Sequence, residues 1–515
     1  MDRHGQESYY IIGEGLVGET LGGRPRVLEA AAEAQIAPFR FSRMGPNGQG
    51  KQLGTPNRKK IALAMTVGEL GEGQIPAGFT YLGQFIDHDL TFDKTTVTFG
   101  ANISPADLIQ GRSPTLDLDS LYGAGPSDPV SAKFYEADGL HLKMGKADGG
   151  PPDVGFDLHR KTNAKQAIIP DKRNDENLAV AQTHLAMIRF HNRVVDTQLG
   201  GVPAALKFAT AREIVTKHYQ WMIRHDYLPR ICAAGAVTDV FKHKRKIFEK
   251  NAAPNSTPTM PVEFSIAAFR LGHSMIRAHY SWNRNFQPGA GDLGATLGQL
   301  FQFAGLGGDL GGGNALPSIW IADFRRLYDF REAGRNDLFV ASKFNKAMRI
   351  DSKVVDALRQ LPGGIAGGPP IEHNLPFRNL TRAAMVRLAT GQQMATFVKN
   401  KGVQITKLTK QQIKNGNGGA SLSSLNATQI NALTTNTPLW FYILREAELN
   451  NGKLKGVGAR IVVETLHRAM EGAKFSIVRD PTFKPTLGPN NTTFRMVDLL
   501  LFAFEGKASL LNPLG

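Results

Sequence analysis

Apolar residues recur at helical spacing along most of the chain, and this periodicity constrains the fold more than any other sequence feature. Clusters of Gly and Pro interrupt the pattern and mark the ends of its segments. Strand candidates are short, and the clearest pair is Leu140–Met144 beside Gly155–Leu158. The sequence therefore predicts a mainly α fold. The predicted helices are Phe79–Leu90, Asn177–Leu199, Ala205–Ala233, Val262–His279, Ala322–Ala333, Lys353–Leu361, Arg378–Asn400, Leu439–Leu449 and Val457–Glu471.

The domain organisation follows from length and from the lack of a long polar linker. With 515 residues, of which 42% are hydrophobic, the chain can bury a large core. We predict one large helical domain at 40–489, after a loop-rich extension at 1–39 and before a C-terminal tail at 490–515 that packs on the domain. Residues 1–75 show little periodicity and are predicted to be rich in loops. Surface loops are also predicted at Gly305–Gly313, Gly363–Pro370 and Asn415–Gly419.

The charge balance is basic, with 61 Lys and Arg against 45 Asp and Glu and a formal charge of +16. Such a charge favours contact with anionic surfaces or small anions. The basic runs, such as Lys242–Lys246, are short, so a solvated basic face is expected and a nucleic-acid partner is not. The single cysteine, Cys232, excludes an intramolecular disulfide. No apolar signal segment or membrane-spanning stretch is visible, which predicts a cytoplasmic protein or signal-independent export.

The segment Thr80–Leu90, TYLGQFIDHDL, carries the most informative polar pattern. On a helix Gln84, Asp87 and His88 fall at i, i+3 and i+4 and share one face. Asp89 points roughly 100° away from His88. Phe, Ile, Leu and Tyr surround the trio, so we expect burial, and buried polar groups need partners. An exposed polar stripe is the alternative interpretation.

The run GQFIDHDL within this segment resembles the distal-haem motif of the animal haem peroxidases, the peroxidase–cyclooxygenase superfamily. The resemblance implies that His88 is the distal acid–base and that Gln84 lines the halide and peroxide pocket. It further implies that Asp87 forms an ester to a haem methyl group and that Asp89 ligates calcium.

A second segment, SPTLDLDSLYG, places oxygen-bearing side chains at alternate positions, a spacing that suits a hard cation. It resembles the calcium loop of the same family. The resemblance assigns calcium ligation to Ser113, Thr115 (through its carbonyl), Asp117 and Asp119. An Asp-rich turn without a metal is the alternative interpretation.

The segment KRNDEN opens a helix that continues through His184 and resembles the family's Arg-x-x-Glu segment. The resemblance makes Arg173 the catalytic arginine and Glu176 the second ester-forming carboxylate, three residues apart on one face. A surface charge cluster at a helix start is the alternative. Asn177 stands where one member of the family has a methionine linked to a haem vinyl group, so no sulfonium bond is expected.

The segment AFRLGH lies in an apolar stretch with one histidine, which by itself is typical of a core residue. Its resemblance to the family's Ala-Phe-Arg-x-Gly-His signature implies that His273 ligates haem iron and that Arg270 lies at the haem. In LPFRNLTR, the resemblance implies that Asn379 accepts the ring N–H of His273 and that Arg382 lies near a propionate. The resemblance covers roughly residues 40–489.

Together these matches imply a haem peroxidase that reduces hydrogen peroxide and oxidises halide, thiocyanate or small phenolic donors through a ferryl intermediate. They imply a haem b derivative, ester-linked through Asp87 and Glu176, and calcium. A fatty-acid dioxygenase of the same superfamily is one alternative, disfavoured because such enzymes generally have a radical-forming Tyr where this chain has Arg270. A non-catalytic haem-binding adhesion protein is a second. A metal hydrolase is disfavoured because no H-E-x-x-H spacing occurs.

Overall fold

The computed structural model describes residues 39–515 apart from 69–70, 96, 98, 150–154, 163, 290–291 and 362–368, together with the strands at 8–11 and 15–18. Most of the predicted extension at 1–39 and of the predicted loop at 363–370 therefore lies outside the described residues. The proposed domain boundaries stay predictions.

Most of the regular structure in the described residues is helical, as predicted. The α-helices are α1 Thr55–Met65, α2 Gly78–Leu90, α3 Asp119–Tyr122, α4 Leu178–Gln198, α5 Lys207–Met222, α6 Leu228–Ile231, α7 Ala234–His243, α8 Val262–Ser265, α9 Gly272–Met275, α10 Leu297–Gln302, α11 Leu375–Met385, α12 Gly391–Asn400, α13 Lys410–Asn415, α14 Ala427–Thr435, α15 Leu439–Glu448, α16 Gly456–Gly472, α17 Met496–Ala503 and α18 Ala508–Leu511. A π-helical turn at Ile223–Tyr227 joins α5 to α6. Short 3₁₀ turns occur at Pro105–Asp107, Ala132–Phe134, Lys172–Asp175, Ala204–Leu206, Ala268–Leu271, Leu310–Gly312, Ser318–Trp320, Phe324–Arg326, Phe330–Ala333, Asn336–Leu338, Ala341–Lys343, Asp356–Arg359 and Pro370–His373.

The strands are short and form small sheets of two or three members within the described residues. Strand β3 pairs antiparallel with β5 and parallel with β8, and the other strands form antiparallel pairs. The strands are β1 Ser8–Ile11, β2 Gly15–Gly18, β3 Phe39–Ser42, β4 Glu72–Pro76, β5 Ile109–Gln110, β6 Met144–Lys146, β7 Phe156–Leu158, β8 Met260–Pro261, β9 His279–Tyr280, β10 Pro288–Gly289, β11 Asp292–Leu293, β12 Ala295–Thr296 and β13 Lys346–Met348.

Two long helices, α4 and α16, organise the core. Helix α4 packs against α2, α5 and α17, and α16 packs against α7, α12 and α15. Both helices are largely buried along their length, so they contact neighbouring elements on several sides. A surface helix would bury only one apolar stripe. None of the helices in the described part of the chain combines the length and apolar character that a membrane span needs.

Predicted helices with strong periodicity are confirmed within one or two residues at each end, namely α2, α4, α15 and α16. The predicted helix at 205–233 is also helical, although it contains the π turn and begins two residues late.

The prediction of one continuous helix at 262–279 is wrong. The segment divides into α8, the 3₁₀ turn Ala268–Leu271 and α9, and His279 already belongs to β9. Ala267 leaves helical geometry, with φ −131° and ψ −69°, and breaks the hydrogen-bond ladder before Arg270. Apolar periodicity persists across the break, so the sequence pattern does not reveal it.

The helix predicted at 322–333 is also wrong, because two aspartates compete for the backbone. Asp323 accepts the N–H of Arg325 and Asp329 accepts that of Arg331, so each begins a separate 3₁₀ turn. The helix predicted at 353–361 is likewise reduced to a 3₁₀ turn at Asp356–Arg359.

The helix predicted at 378–400 is two helices. Arg387 adopts a positive φ of 51°, which ends α11, and Thr390 begins α12 through a capping box with Gln393.

The prediction that 1–75 is loop-rich is wrong for α1, whose first half is polar and whose buried residues cluster near its end. It also missed the short strands of that region, including the β1–β2 hairpin.

The predicted strand pair is confirmed with shifted bounds, because Met144 pairs with Leu158 and Lys146 with Phe156, whereas 140–143 lie outside β6.

The glycine-rich stretch 305–313 is a loop, but it is packed and not merely exposed. A Cβ on Gly307 would lie 1.8 Å from the carbonyl oxygen of Glu176, so this loop covers the start of α4.

Candidate functional site

Helix α2 is a core helix that carries the predicted polar trio. Every residue of α2 is buried except Asp87, which is half-buried. Two glycines let neighbours approach: a Cβ on Gly78 would lie 2.2 Å from the Tyr328 ring, and one on Gly83 would lie 2.4 Å from the Tyr227 hydroxyl. The helix therefore holds its polar residues in a densely packed environment, and the alternative of an exposed stripe is wrong.

His88 is 1% exposed and has one defined partner. Its Nδ1 lies 2.8 Å from Oδ1 of Asn174, which can only accept, so Nδ1 carries the ring proton. Its Nε2 has no hydrogen-bond partner among the described residues and presents a lone pair. Burial, followed by the positive charge of Arg173, lowers the pKa of His88 to about 3, so the ring is neutral at physiological pH.

Arg173 lies beside His88 and is held by three neighbours. Its guanidinium donates to Asp171 at 3.0 and 2.7 Å, and Nη2 donates to the carbonyl oxygen of His88 at 2.9 Å. The ring of Phe92 lies 4.3 Å from the guanidinium carbon. Burial alone would raise the pKa of Asp171, but Arg112 and Arg173 hold it well below its usual range. Among the described residues Nη1 of Arg173 has no hydrogen-bond partner.

The side-chain amide of Gln84 is held by hydrogen bonds to Glu176 and Asn177. Its amide nitrogen donates to Oε1 of Glu176, and its carbonyl oxygen accepts from Nδ2 of Asn177 at 3.1 Å. Asn177 also begins α4, because its Oδ1 accepts the backbone N–H of Val180 at 3.0 Å. One side chain thus fixes both the start of α4 and the orientation of the Gln84 amide.

The two carboxyls expected to form esters, Asp87 and Glu176, both lie within the influence of the Arg173 charge. Burial raises the pKa of Asp87 to about 6, and Arg173 and Arg270 oppose that rise. Burial raises the pKa of Glu176 to about 8, and Arg173 opposes the rise while Asp171 and Asp87 add to it. Oε2 of Glu176 has no partner among the described residues.

On the other side of the site, His273 lies on the short helix α9 with Asn379 of α11 beside it. Nδ2 of Asn379 lies 2.9 Å from Nδ1 of His273, and Oδ1 of Asn379 accepts from Arg270. In this structure the amide nitrogen of Asn379 lies nearer the ring than its oxygen does, and the role of Asn379 as acceptor of the ring N–H stays a prediction. Arg270 can only donate and takes the amide oxygen, so the amide nitrogen is left to face the ring.

Arg270 links the two sides of the site. Its Nε donates to the carbonyl oxygen of Ser265 at 3.2 Å, and its positive charge acts on Asp87 of α2. Arg382, expected near a haem propionate, pairs with Asp93, which lies three residues after α2. Helix α2 also contacts α9 directly. These contacts bring Arg270 and Arg382 next to α2, and the haem-binding and peroxide-binding roles stay predictions.

The predicted calcium loop folds against the far side of α2. The hydroxyls of Ser113 and Thr115 lie 2.5 Å apart, and Thr115 donates to Asp117 at 2.6 Å. Asp119 accepts the backbone N–H of Ser113 at 3.2 Å. Asp89, which points away from His88 as predicted, accepts from the hydroxyl of Ser120 at 2.8 Å.

Three carboxylates of this loop lie close enough to disfavour one another's ionisation. Burial raises the pKa of Asp89 well above its usual value, and the charges of Asp119 and Asp117 raise it further. Burial also raises the pKa of Asp119 to about 7. Each of the three has one buried oxygen without a partner: Oδ2 of Asp89 and Oδ1 of both Asp117 and Asp119.

The oxygen-only donor set and the unpartnered oxygens fit a hard cation. Leu118, between two of the carboxylates, adopts a left-handed φ of 61°, a strained geometry for leucine. Nevertheless, no group of three or more His, Cys, Asp or Glu side chains in the described part of the chain is already arranged to hold a metal ion. The predicted calcium ligands lie near one another, but their oxygens would have to move closer together to coordinate one cation.

Sequence reasoning missed Asp171 and the role of Asn174. Asp171 lies two residues before Arg173 and caps the turn at Lys172–Asp175, so the Asp-x-Arg spacing was the available signal. No sequence signal pointed to the contact between Asn174 and His88, because 86 residues separate them.

The described residues thus carry a His–Asn pair, His273 and Asn379, and a buried His–Arg pair, His88 and Arg173, in one mainly α fold. The family model of the animal haem peroxidase domain matches residues 90–298. The match begins just after His88 and includes the calcium loop, Arg173 and His273, but not Asn379.

Several proteins of similar sequence are named as peroxidases or peroxidase-like proteins. Rat thyroid peroxidase is 27% identical over 190 residues, which cover 34% of this chain and 20% of that protein. A peroxidase-like protein of Margaritifera margaritifera is 29% identical over 264 residues, covering 42% of this chain and 32% of that protein. The chain thus spans about a fifth to a third of the length of these relatives.

Among solved structures, peroxidase A of Dictyostelium discoideum superimposes with a TM-score of 0.58 at 15% identity, covering 90% of this chain and 95% of that chain. A fatty acid alpha-dioxygenase of Arabidopsis thaliana superimposes with a TM-score of 0.56 at 12% identity, covering 92% and 76%. These likenesses show the fold. The family match and these relatives together support the animal-type haem peroxidase superfamily.

Proposed function

We propose that this protein is a haem peroxidase in which His273 would hold the haem iron and His88 and Arg173 would act on hydrogen peroxide. One observation supports this proposal above the rest. Oε2 of Glu176 is buried without a hydrogen-bond partner among the described residues, and beside it Nε2 of His88 and Nη1 of Arg173 make no hydrogen bond there. Buried polar groups are normally satisfied, so a bound group that satisfies these atoms is the simplest explanation.

Each residue then has a defined task. Neutral His88 takes a proton from hydrogen peroxide at Nε2 and returns it to the departing oxygen as water forms. Arg173, already oriented by Asp171, donates from Nη1 to the negative charge that develops on that oxygen. Gln84, fixed by Asn177, orients peroxide or a small anion. His273 provides the iron ligand, and Asn379 and Arg270 orient its ring.

Haem, when bound, supplies the oxidising chemistry, and the chain supplies ligation, proton transfer and access. Asp87 and Glu176 are both raised in pKa by burial, so they are partly or wholly protonated near neutral pH. An ester between such a carboxyl oxygen and a haem methyl group would require the loss of the carboxyl proton, one C–H bond and two electrons, which hydrogen peroxide would take up as it forms two waters. The electron donors proposed are halide, thiocyanate or small phenols.

Calcium is proposed for the loop at 113–119 together with Asp89. Because the cation would neutralise three carboxylates that repel one another, it would hold the loop against the back of α2. Since Asp89 is next to His88 in the sequence, this site and the distal histidine share one helix.

The test is reconstitution of the protein with haem, followed by visible spectra and assays of guaiacol and iodide oxidation with hydrogen peroxide. We expect a Soret band in the wild type and its loss in His273→Ala. The matched control is His225→Ala, because His225 is exposed and lies outside the site. His88→Gln should keep the band and lose activity by about 10²–10⁴-fold.

Two outcomes would contradict the proposal. One is a His273→Ala protein that binds haem with an unchanged spectrum. The other is a loaded wild type that oxidises neither donor class. Mass spectrometry after denaturation tests the esters separately, since freely extractable haem after peroxide treatment would disprove them.

Fatty-acid dioxygenation is the second candidate, and the structural likeness to a plant fatty acid alpha-dioxygenase favours it. Against it, Arg270 lies three residues before His273 and is engaged with Asn379 and Ser265. Oxygen uptake with linoleate in the absence of peroxide would establish this function in place of the peroxidase.

A further inference from the structure

The amide of Asn174 lies between two buried histidines. Its Oδ1 lies 2.8 Å from Nδ1 of His88, and its Nδ2 lies 2.9 Å from Nδ1 of His184. All three side chains are buried, with at most 1% exposure. The hydrogen-bonded series His88–Asn174–His184 therefore joins α2, the turn Lys172–Asp175 and α4 through side chains alone.

An amide between two rings imposes opposite tautomers on them. Its oxygen only accepts, so His88 must carry its proton on Nδ1 and leave Nε2 bare. Its nitrogen only donates, so His184 must leave Nδ1 bare and carry its proton on Nε2. Reversal of the amide would exchange these states and would give His88 a protonated Nε2, which accepts no proton.

The surroundings hold His88 from two directions. The turn that carries Asn174 begins at Asp171, whose side chain accepts the backbone N–H of Arg173 at 3.0 Å. From this turn Arg173 reaches the carbonyl oxygen of His88, while Asn174 reaches its ring. The backbone and the ring of His88 are thus positioned by adjacent residues of one capped turn.

His184 shows that the arrangement has a cost. Its Nε2 is buried without a partner among the described residues, and the edge-on ring of Phe85 lies 5.7 Å from its own. A buried N–H without a partner is unfavourable. A histidine that served only to fill space could be replaced by an apolar residue without an unpaired N–H. A histidine that orients Asn174 must accept at Nδ1, and therefore keeps its buried proton on Nε2.

We propose that Asn174 is a positioning residue that, oriented by His184, holds His88 in the tautomer with a bare Nε2. Its catalytic consequence rests on the proposed peroxidase function, because the bare Nε2 is the atom that would accept the proton of peroxide. The tautomers themselves do not depend on that function and can be measured in the haem-free protein.

The first experiment is ¹⁵N NMR of haem-free protein labelled in histidine, at pH 8.5, with His88 and His184 assigned by substitution. We expect His88 protonated on Nδ1 and His184 protonated on Nε2. His218 is an internal reference, because backbone groups fix its tautomer: Nδ1 faces the carbonyl oxygen of Ile214 at 2.7 Å and Nε2 accepts from Thr486 at 2.9 Å.

Two variants distinguish positioning from packing. In Asn174→Leu, His88 should become a mixture of tautomers while His218 is unchanged. In Asn174→Asp, both partners face an acceptor, so His88 should keep its Nδ1 proton and His184 should switch to Nδ1. An unchanged His88 in Asn174→Leu would overturn the proposal. If that variant does not fold, a His184 that keeps its Nε2 proton in Asn174→Asp would overturn it.

The second experiment uses the haem-loaded protein and the rate of its reaction with hydrogen peroxide. Asn174→Leu should slow this reaction at least tenfold, and Asn174→Asp should restore most of the rate. A wild type that does not react with peroxide contradicts the proposed function but leaves the tautomer result standing. A reactive wild type with an equally reactive Asn174→Leu contradicts this inference alone.

Discussion

Two groups of buried carboxylates differ in how completely their oxygens are paired. Glu464 of α16 accepts the backbone N–H groups of Lys246, Ile247 and Phe248 at 2.8 Å, together with the guanidinium of Arg460. In contrast, four carboxylates each have one buried oxygen without a hydrogen-bond partner among the described residues, namely Asp89, Asp117, Asp119 and Glu176.

The difference separates carboxylates that hold the fold together from carboxylates that we propose to bind a ligand. Burial penalises both groups, but only the first recovers the cost within the chain. Glu263 belongs with Glu464, because its two oxygens accept the N–H groups of Met44 and Gly45 at 2.8 and 2.9 Å. Substitutions in the two groups can test this distinction.

The largest effect is expected at Glu464. Glu464→Ala leaves three backbone N–H groups and Arg460 without their acceptor, and should lower the free energy of unfolding by about 3–5 kcal/mol. Chemical denaturation of the haem-free protein measures the loss. The loss should be the same with calcium and with a chelator, and a calcium-dependent loss would place Glu464 in the wrong group.

A smaller and pH-dependent effect is expected at Glu176. Its pKa is about 8 in the folded protein, above the ordinary value of 4.5 for the unfolded chain, so stability falls as the pH rises from about 4.5 through 8. Glu176→Gln cannot ionise. It should match the wild type at pH 4.5 and exceed it by on the order of 3 kcal/mol at pH 7.

The control is Glu446, whose pKa burial also raises to about 8. Its oxygens accept the N–H groups of Val457 and Gly458 at 3.3 and 3.2 Å, at the start of α16. Glu446→Gln turns an amide N–H₂ toward one of these donors, so it should destabilise the haem-free protein at every pH. If the two variants gave the same pH profile, the distinction between the groups would fail.

These carboxylates also show what sequence can and cannot provide. The spacing of Gln84, Asp87 and His88 on one helix was predicted correctly, because i, i+3 and i+4 relations are local. The break at Ala267 and the turns begun by Asp323 and Asp329 were not, because backbone geometry there departs from an unbroken apolar period.

Hydrogen bonds between residues far apart in the sequence were harder still to predict. The amide of Asn379 was expected to accept from His273, and its orientation in the structure follows from Arg270, whose contact with it depends on the folded chain. Likewise, the partners of Gln84 come from the start of α4, about ninety residues away. Residue types were predictable from the resemblance, but the direction of each hydrogen bond required the structure.

Calcium should stabilise the haem-free protein through the other unpaired carboxylates. At a free concentration one hundred times its dissociation constant, calcium should add about 2.7 kcal/mol to the free energy of unfolding. Asp117→Asn should abolish the increment and stabilise the metal-free form, because it removes one of three repelling charges. Glu263→Gln should keep the increment. Denaturation with calcium or a chelator measures all three, and an increment that survives in Asp117→Asn would contradict the site.

The smallest effect is expected at Asn177, which serves both groups of contacts. Asn177→Ala should cost about 1 kcal/mol, because Val180 loses the acceptor that caps α4. Asn177→Ser keeps the cap but removes the donor to Gln84, so its stability should stay near that of the wild type while the KM for iodide rises in the haem-loaded protein. The exposed cap Asn426 of α14 is the control: Asn426→Ala should cost a similar amount and leave the KM unchanged. Equal KM values for Asn177→Ser and the wild type would show that the orientation of Gln84 does not depend on Asn177.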